Sequence, residues 1–209
     1  TGGSGTSRAT VTMTCGSLLQ SNPDSFMGCQ SCSLWQWRTQ VVPGHGSIDA
    51  KIAFVAEAPG REEDNKGEPL VGPAGQRFDR QLERVGINRE DVWLDNAVHC
   101  RPPNNAIRDY PDALARCPDL WLMPTLAALK SLRVIVALGA TAGGIWFPGL
   151  KATEIASLAR NTGQYLLVGS YHPSYALRSG GEWNEIDESI TMSLRRAMTY
   201  ASLMEIAND

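Results

Sequence analysis

Short, wholly apolar runs alternate along this chain with stretches whose apolar residues recur every three or four positions. The first run, Ile52 to Ala56, has no polar residue, the pattern of a parallel strand covered on both faces. Val92 to Ala97 is a second, closing on Asn96; Arg133 to Leu138 and Tyr165 to Ser170 are the third and fourth. Between them lie helical periods. Phe78, Leu82 and Val85 share one face of a helix that opens near Ala74 and stops at Gly86. Residues 111–131 read as helical, with Leu114, Cys117, Leu120, Leu122, Leu126 and Leu129, but Pro118 and Pro124 must kink or divide the element. Gly139 to Ala142 starts another helix. A last helix over 185–206 carries Ile186, Ile190, Leu194, Ala197, Ala201 and Met204 as a clean stripe. Residues 6–28 are weakly periodic, with a short helix expected around Ser17 to Gln20. Strand and helix alternate, so the class is α/β with a largely parallel sheet.

The punctuation is densest in one place, Lys51 to Gly75. The strand at 52–56 stops at Glu57, and Pro59 and Gly60 force a tight turn. Gly67, Pro69, Gly72, Pro73 and Gly75 then lead into the next helix. In an open α/β sheet, ligands bind at the carboxyl ends of the strands. Three of the four expected strands end on a polar residue, Glu57, Asn96 and His172, which is the layout of a single pocket at one sheet edge.

Length and composition bound the rest. The 209 residues suit one domain with an ordinary core: Thr1 to Gly5 (TGGSG) reads as a tag remnant, and residues 6–209 as the domain. A net charge of −3 does not advertise nucleic-acid binding, although a local basic groove is enough for it. No apolar run reaches membrane-spanning length and no signal peptide is visible, so a cytoplasmic protein with no membrane partner is expected. Of five cysteines, two form Cys29-x-x-Cys32; without an export signal this is a metal or redox pattern before it is a disulfide one.

Cys29, Cys32, Cys100 and Cys117 supply four thiolates, enough for zinc or an iron–sulfur cluster, and spacing alone favours zinc. Cys15 has no partner in this scheme. Glu57 can orient a water or simply satisfy loop N–H groups; Glu63 and Asp64 compete for either task, and Glu62 belongs to a solvated face. Asn96 presents a donor and an acceptor side by side, suited to one edge of a nucleobase, but Asn also caps turns. His172 can donate to an oxygen that gains negative charge, or be a satisfied structural histidine.

Taken together, Cys29-x2-Cys32, Glu57-Ala-Pro-Gly60 with Glu63-Asp64, Gly67 to Gly75, Asn96-Ala-Val-His-Cys-Arg-Pro-Pro103, Cys117, Ala137 to Ala142 and His172 to Arg178 resemble the uracil-DNA glycosylase superfamily, closest to its iron–sulfur group, family 4. The resemblance implies a three-layer α/β/α sandwich with a four-stranded parallel sheet. It implies a [4Fe–4S] cluster on Cys29, Cys32, Cys100 and Cys117, with zinc the alternative tenant, in a structural role. The partner would be DNA, single- or double-stranded, met by a monomer, and the source bacterial or phage. The chemistry would be hydrolysis of the bond between deoxyribose and uracil, or a related modified pyrimidine, after base flipping. In that scheme His172 stabilises the leaving base, Asn96 reads it, backbone amides of the turn Glu57-Ala58-Pro59-Gly60 hold its other oxygen, and Glu57 orients the water. Ser174, Leu177 and Arg178 lie against the DNA, Leu177 as a wedge and Arg178 on a phosphate.

Two departures stand out. The family places an aromatic residue where this chain has Leu70, and a basic residue before the third cysteine where it has His99. Leucine packs but cannot stack on a base, so weakened uracil binding or a pocket for another base is expected. His99 is a candidate nucleophile or acid–base group. The competing functions are a DNA-modifying enzyme of the same fold that acts on a flipped pyrimidine without excising it, and a base-binding module.

Overall fold

A computed structural model describes the backbone of residues 12–14 and 23–206. The tag-like start, Cys15 and the helix expected around Ser17 to Gln20 lie outside the described residues. The strands are β1 (Thr12–Thr14), β2 (His45–Ser47), β3 (Ile52–Ala56), β4 (Trp93–Asn96), β5 (Val134–Leu138), β6 (Ala159–Asn161) and β7 (Leu166–Ser170). The helices are α1 (Pro23–Met27), α2 (Arg61–Lys66), α3 (Pro73–Val85), α4 (Pro111–Cys117), α5 (Met123–Ala128), α6 (Gly139–Trp146), α7 (Ala152–Ile155), α8 (Pro173–Arg178) and α9 (Glu185–Ile206). Among the described residues no helix is long and apolar enough to cross a membrane.

The sheet differs from the four-stranded parallel one expected. It is mixed, with seven strands among the described residues in the order β1-β2-β4-β3-β5-β7-β6. The pairs β4–β3, β3–β5 and β5–β7 run parallel. Antiparallel strands extend both flanks, β2 on β4, β1 on β2, and β6 on β7. The sequence hides these additions for a physical reason. His45-Gly-Ser47 carries no apolar side chain, and all three residues of β6 are exposed, so neither shows the hydrophobic signal of a strand.

Alternating residues of the central strands face opposite sides. Ala53, Val55, Ile135, Ala137 and Leu167 pack with residues of α4 to α7, among them Ala113, Leu122, Leu126 and Ile155. Ile52, Phe54, Val134, Val136 and Val168 pack with α3, α8 and α9 through Phe78, Leu82, Ala176, Ile190, Leu194 and Ala197. Both faces are therefore covered by helices, which explains the uninterrupted apolar runs. Ile190, Leu194 and Ala197 are fully buried, as the stripe on the last helix predicts; the Met204 side chain lies outside the described residues. The segment 111–128 is divided at Pro118, where Pro118–Leu122 forms one wide turn between α4 and α5. Short 3-10 turns occupy 103–105 and 107–109 within the loop before Pro111.

Helices α3 and α9 are fastened by a buried ion pair. Arg77 Nε and Nη2 donate to Asp187 at 2.7 and 2.5 Å, Gln81 Nε2 adds 2.8 Å, and the Asn184 N–H 2.9 Å. Burial works against charge on Asp187, but the bonds from Arg77 and Gln81 outweigh it and hold the carboxyl below its usual range.

Candidate active site

Strands β3, β4 and β7 deliver Glu57, Asn96 and His172 to one edge, and all three line a single cleft of about 970 Å³. Ala58, Pro59, Gly60, Leu70, Ser174, Leu177 and Arg178 line it too. Every base- or DNA-directed residue anticipated from the sequence therefore opens onto the same space. Arg61, Lys66, Arg101 and Arg108 add positive charge to its walls, despite the acidic net balance of the chain.

The carboxylates sort by what they already hold. Glu63 lies on α2, a helix without an apolar face, bounded by Gly60 and by Gly67 in a left-handed C-cap. Its Oε2 accepts from the Gly60 N–H at 3.1 Å, and its Oε1 from Val71 and Gly72 at 3.1 and 2.8 Å. Glu63 thus buckles the loop after β3 to the loop before α3. Asp64 accepts from the Thr39 and Gln40 N–H groups and is buried. Both oxygens of each are already engaged by backbone N–H groups. Glu57 is different: among the described residues, only the Thr141 hydroxyl hydrogen-bonds its carboxylate, on Oε2. The same buckle narrows the amide set. The Gly60 N–H is committed to Glu63 and Pro59 has none, which leaves Glu57 and Ala58 as the amides of that turn able to face a ligand.

Asn96 is 2 % exposed, and its Nδ2 is a buried donor with no partner. An unpaired buried amide donor costs about 1–3 kcal/mol. Its backbone is held by Asp95, whose Oδ1 accepts from the Asn96 N–H at 2.8 Å.

His172 N-caps α8. Its Nδ1 accepts from the Ser174 N–H at 3.1 Å, with the Ser174 hydroxyl at 2.9 Å. A backbone N–H can only donate, so Nδ1 carries no proton and the neutral ring carries it on Nε2. Burial, assisted by the Arg178 charge, pushes the ring down to about 4 and keeps it neutral. The result is a neutral Nε2–H donor. Arg178 donates to Ser174 Oγ at 3.0 Å, and Tyr175 and Leu177 stand exposed beside it at the rim.

Leu70 is 4 % exposed and adopts a left-handed backbone, φ 54°, which costs a residue other than glycine about 1–2 kcal/mol. Arg89 holds it there, donating to the Pro69 and Leu70 carbonyls at 3.0 Å each while pairing with Asp79 at 2.5 Å. Gly75 completes the turn: a Cβ there would lie 1.8 Å from the Leu70 carbonyl oxygen.

Behind the cleft, Cys29, Cys32, Cys100 and Cys117 line one pocket and none is in a disulfide. Three of the four sulfurs face N–H groups at 3.3 Å: Cys29 faces Trp121 Nε1, Cys100 faces Arg38 Nη1 and Cys117 faces His99 Nδ1. His99 is buried here, its Nε2 on Asp95 at 2.8 Å. Burial opposes charge on that ring, but Asp95 and Cys117 push it up to about 10. It lines the cysteine pocket and not the cleft, so it is no nucleophile or acid–base group for a base bound there.

Residues 43–190 match the sequence profile of the Uracil DNA glycosylase superfamily. The chain belongs to this superfamily. It is 38 % identical over 178 residues to the type-4 uracil-DNA glycosylase of Thermotoga maritima, covering 82 % of this chain and 88 % of that one. It is 40 % identical over 163 residues to the type-4 uracil-DNA glycosylase of Archaeoglobus fulgidus, covering 73 % and 79 %. A third type-4 uracil-DNA glycosylase, from Pyrobaculum aerophilum, is 32 % identical over 183 residues, 83 % of this chain and 92 % of that one.

Several supports of the site are not declared by the sequence pattern. The Glu63 buckle depends on two loops meeting, and Arg89 reaches back 19 residues to Leu70. Thr141 sits in the Ala137 to Ala142 run, where a threonine opening a helix looks like ordinary capping.

Proposed function

We propose that this chain excises uracil from DNA by hydrolysing the N-glycosidic bond of a deoxyuridine flipped into the cleft. The observation that carries the reading is the buried, unpartnered Asn96 Nδ2 at the end of β4. Uracil offers a carbonyl to that donor and an N–H to the amide oxygen beside it. Cytosine reverses both, leaving donor against donor in a buried place. A neutral His172 Nε2–H serves the second carbonyl, on which negative charge grows as the base leaves. Glu57, with Oε1 unengaged, orients the water that attacks the sugar, and its negative charge favours the cationic sugar of the transition state. Leu177 and Arg178 at the rim meet the DNA, one as a wedge and one on a phosphate. A water-orienting carboxylate beside the base supports excision over modification or mere binding.

The four cysteines fit a [4Fe–4S] cluster. All donors are sulfur, and N–H groups aim at three of them, as ligating thiolates require. Such a group, when bound, supplies a cross-link between residues 29–32 and the loop 100–117.

The test is a single-stranded oligonucleotide with one uracil, read as alkali-labile breaks, beside His172→Ala and Asn96→Ala. Breaks with the wild type that vanish in both variants are expected. No breaks from cluster-loaded wild type would overturn the reading.

A further inference from the structure

One polar contact of the cleft ties the end of β3 to the start of α6. Thr141 is the third residue of α6, which starts directly after β5, and β5 lies beside β3. Its hydroxyl therefore projects across the strand ends to the carboxylate that closes β3, and Thr141 Oγ1 donates to Glu57 Oε2. Both residues line the cleft and both are half-buried.

We propose that Thr141 is a positioning residue for the water-orienting carboxylate: its hydroxyl fixes Glu57 Oε2, so that Oε1 is presented to the attacking water in one orientation. The proposal rests on the role given to Glu57 above. A glutamate has three rotatable side-chain bonds, and a carboxylate with no partner samples several rotamers in an open cleft. A water is oriented productively only when its acceptor is already in place. The backbone does not supply the restraint: the Gly60, Val71 and Gly72 amides are held by Glu63, and among the described residues no backbone N–H hydrogen-bonds the Glu57 carboxylate. Thr141 is the hydroxyl that bonds it, and it stands at the N-terminal end of α6, where a negative partner is favoured. The contact could instead merely fasten α6 to β3, so the test must separate fastening from positioning.

Thr141→Val keeps the shape of the side chain and removes the donor. Hydrogen bonds to charged groups support a loss of about ten- to a hundredfold in kcat on single-stranded uracil DNA, with KM changed by less than about twofold. Thr141→Ser restores most of kcat. In a Glu57→Gln background, Thr141→Val has little further effect, because the two side chains act as one unit. The Glu57 carboxyl carbon, followed by carbon-13 NMR, shifts in Thr141→Val and returns in Thr141→Ser. An unmoved carboxyl signal overturns the proposal whatever the activity, as does an undiminished kcat, or a kcat loss that persists in full without Glu57. If the wild type releases no uracil while the carboxyl signal responds as stated, the uracil reading fails and the hold of Thr141 on Glu57 stands.

Discussion

Replacing Glu63 separates the two carboxylates that the sequence leaves as rivals. Glu63 is 9 % exposed and accepts three backbone N–H groups, from Gly60, Val71 and Gly72, over 2.8–3.1 Å. In Glu63→Ala all three lose their acceptor. The Gly72 N–H is buried and would stay unpaired, at about 1–3 kcal/mol, while the other two recover water at smaller cost. Roughly 2–3 kcal/mol of stability should be lost in total. For a domain of this size, each kcal/mol moves the melting midpoint by about 2–4 °C, so a fall of roughly 5–10 °C is expected. Glu63→Gln keeps the volume but turns an NH₂ against one of the three donors, and should fall between wild type and alanine. Glu57→Gln, by contrast, touches one hydroxyl and should leave the midpoint within about 2 °C while abolishing most turnover. Differential scanning fluorimetry and excision kinetics on the same preparations decide it. A stable Glu63→Ala with excision lost, or a destabilised Glu57→Gln with excision kept, would refute the division of labour.

Three further outcomes are expected. Leu70→Phe places an aromatic face in the cleft, where base stacking is worth about 1–3 kcal/mol; KM for uracil DNA should fall roughly tenfold, and abolished excision would show the turn to be shaped for another base. His172 resists a proton until about pH 4 in the folded chain but accepts one near 6.5 when unfolded, so its contribution to stability is lost as pH falls through that window; His172→Gln should flatten the dependence of the melting midpoint on pH between those values, and an unchanged slope would contradict the desolvated neutral ring. Cys117→Ala should abolish visible absorbance and iron content in purified protein, and retention of both would remove Cys117 from the ligand set.

The centre of the sheet was legible because strands buried on both faces leave no room for polar residues, as Ile52–Ala56 and Val134–Leu138 show. Helix α2 was not legible. Its sequence, REEDNK, has no apolar face, and only Gly60 and Gly67 mark its ends. The same holds for β6, which is exposed throughout and is a strand only because β7 offers an edge. In the site, Asn96 and His172 could be read from strand ends. The distinction between Glu57 and Glu63 could not, because it depends on which backbone amides each loop turns inward. His99 misled for a related reason: a histidine next to a cysteine gives no sign of which side of the strand end it faces, and Asp95, four residues earlier, draws it away from the cleft.

The cysteine pocket is held together by bonds that involve no metal. The Ser33 N–H and hydroxyl both bind Asp112, at 2.8 and 3.1 Å, Arg116 reaches the Ser31 carbonyl at 2.9 Å, and Arg38 reaches the Cys29 carbonyl at 2.6 Å. The Ser33–Asp112 and Arg116–Ser31 contacts join sequence neighbourhoods about 80 residues apart. A zinc finger is unfolded until its ion arrives, so its maturation and its folding are one event. Here the four hydrogen bonds are a second set of ties, so a group held by the four thiols would join segments that protein–protein bonds already join, and would not be the sole link between them.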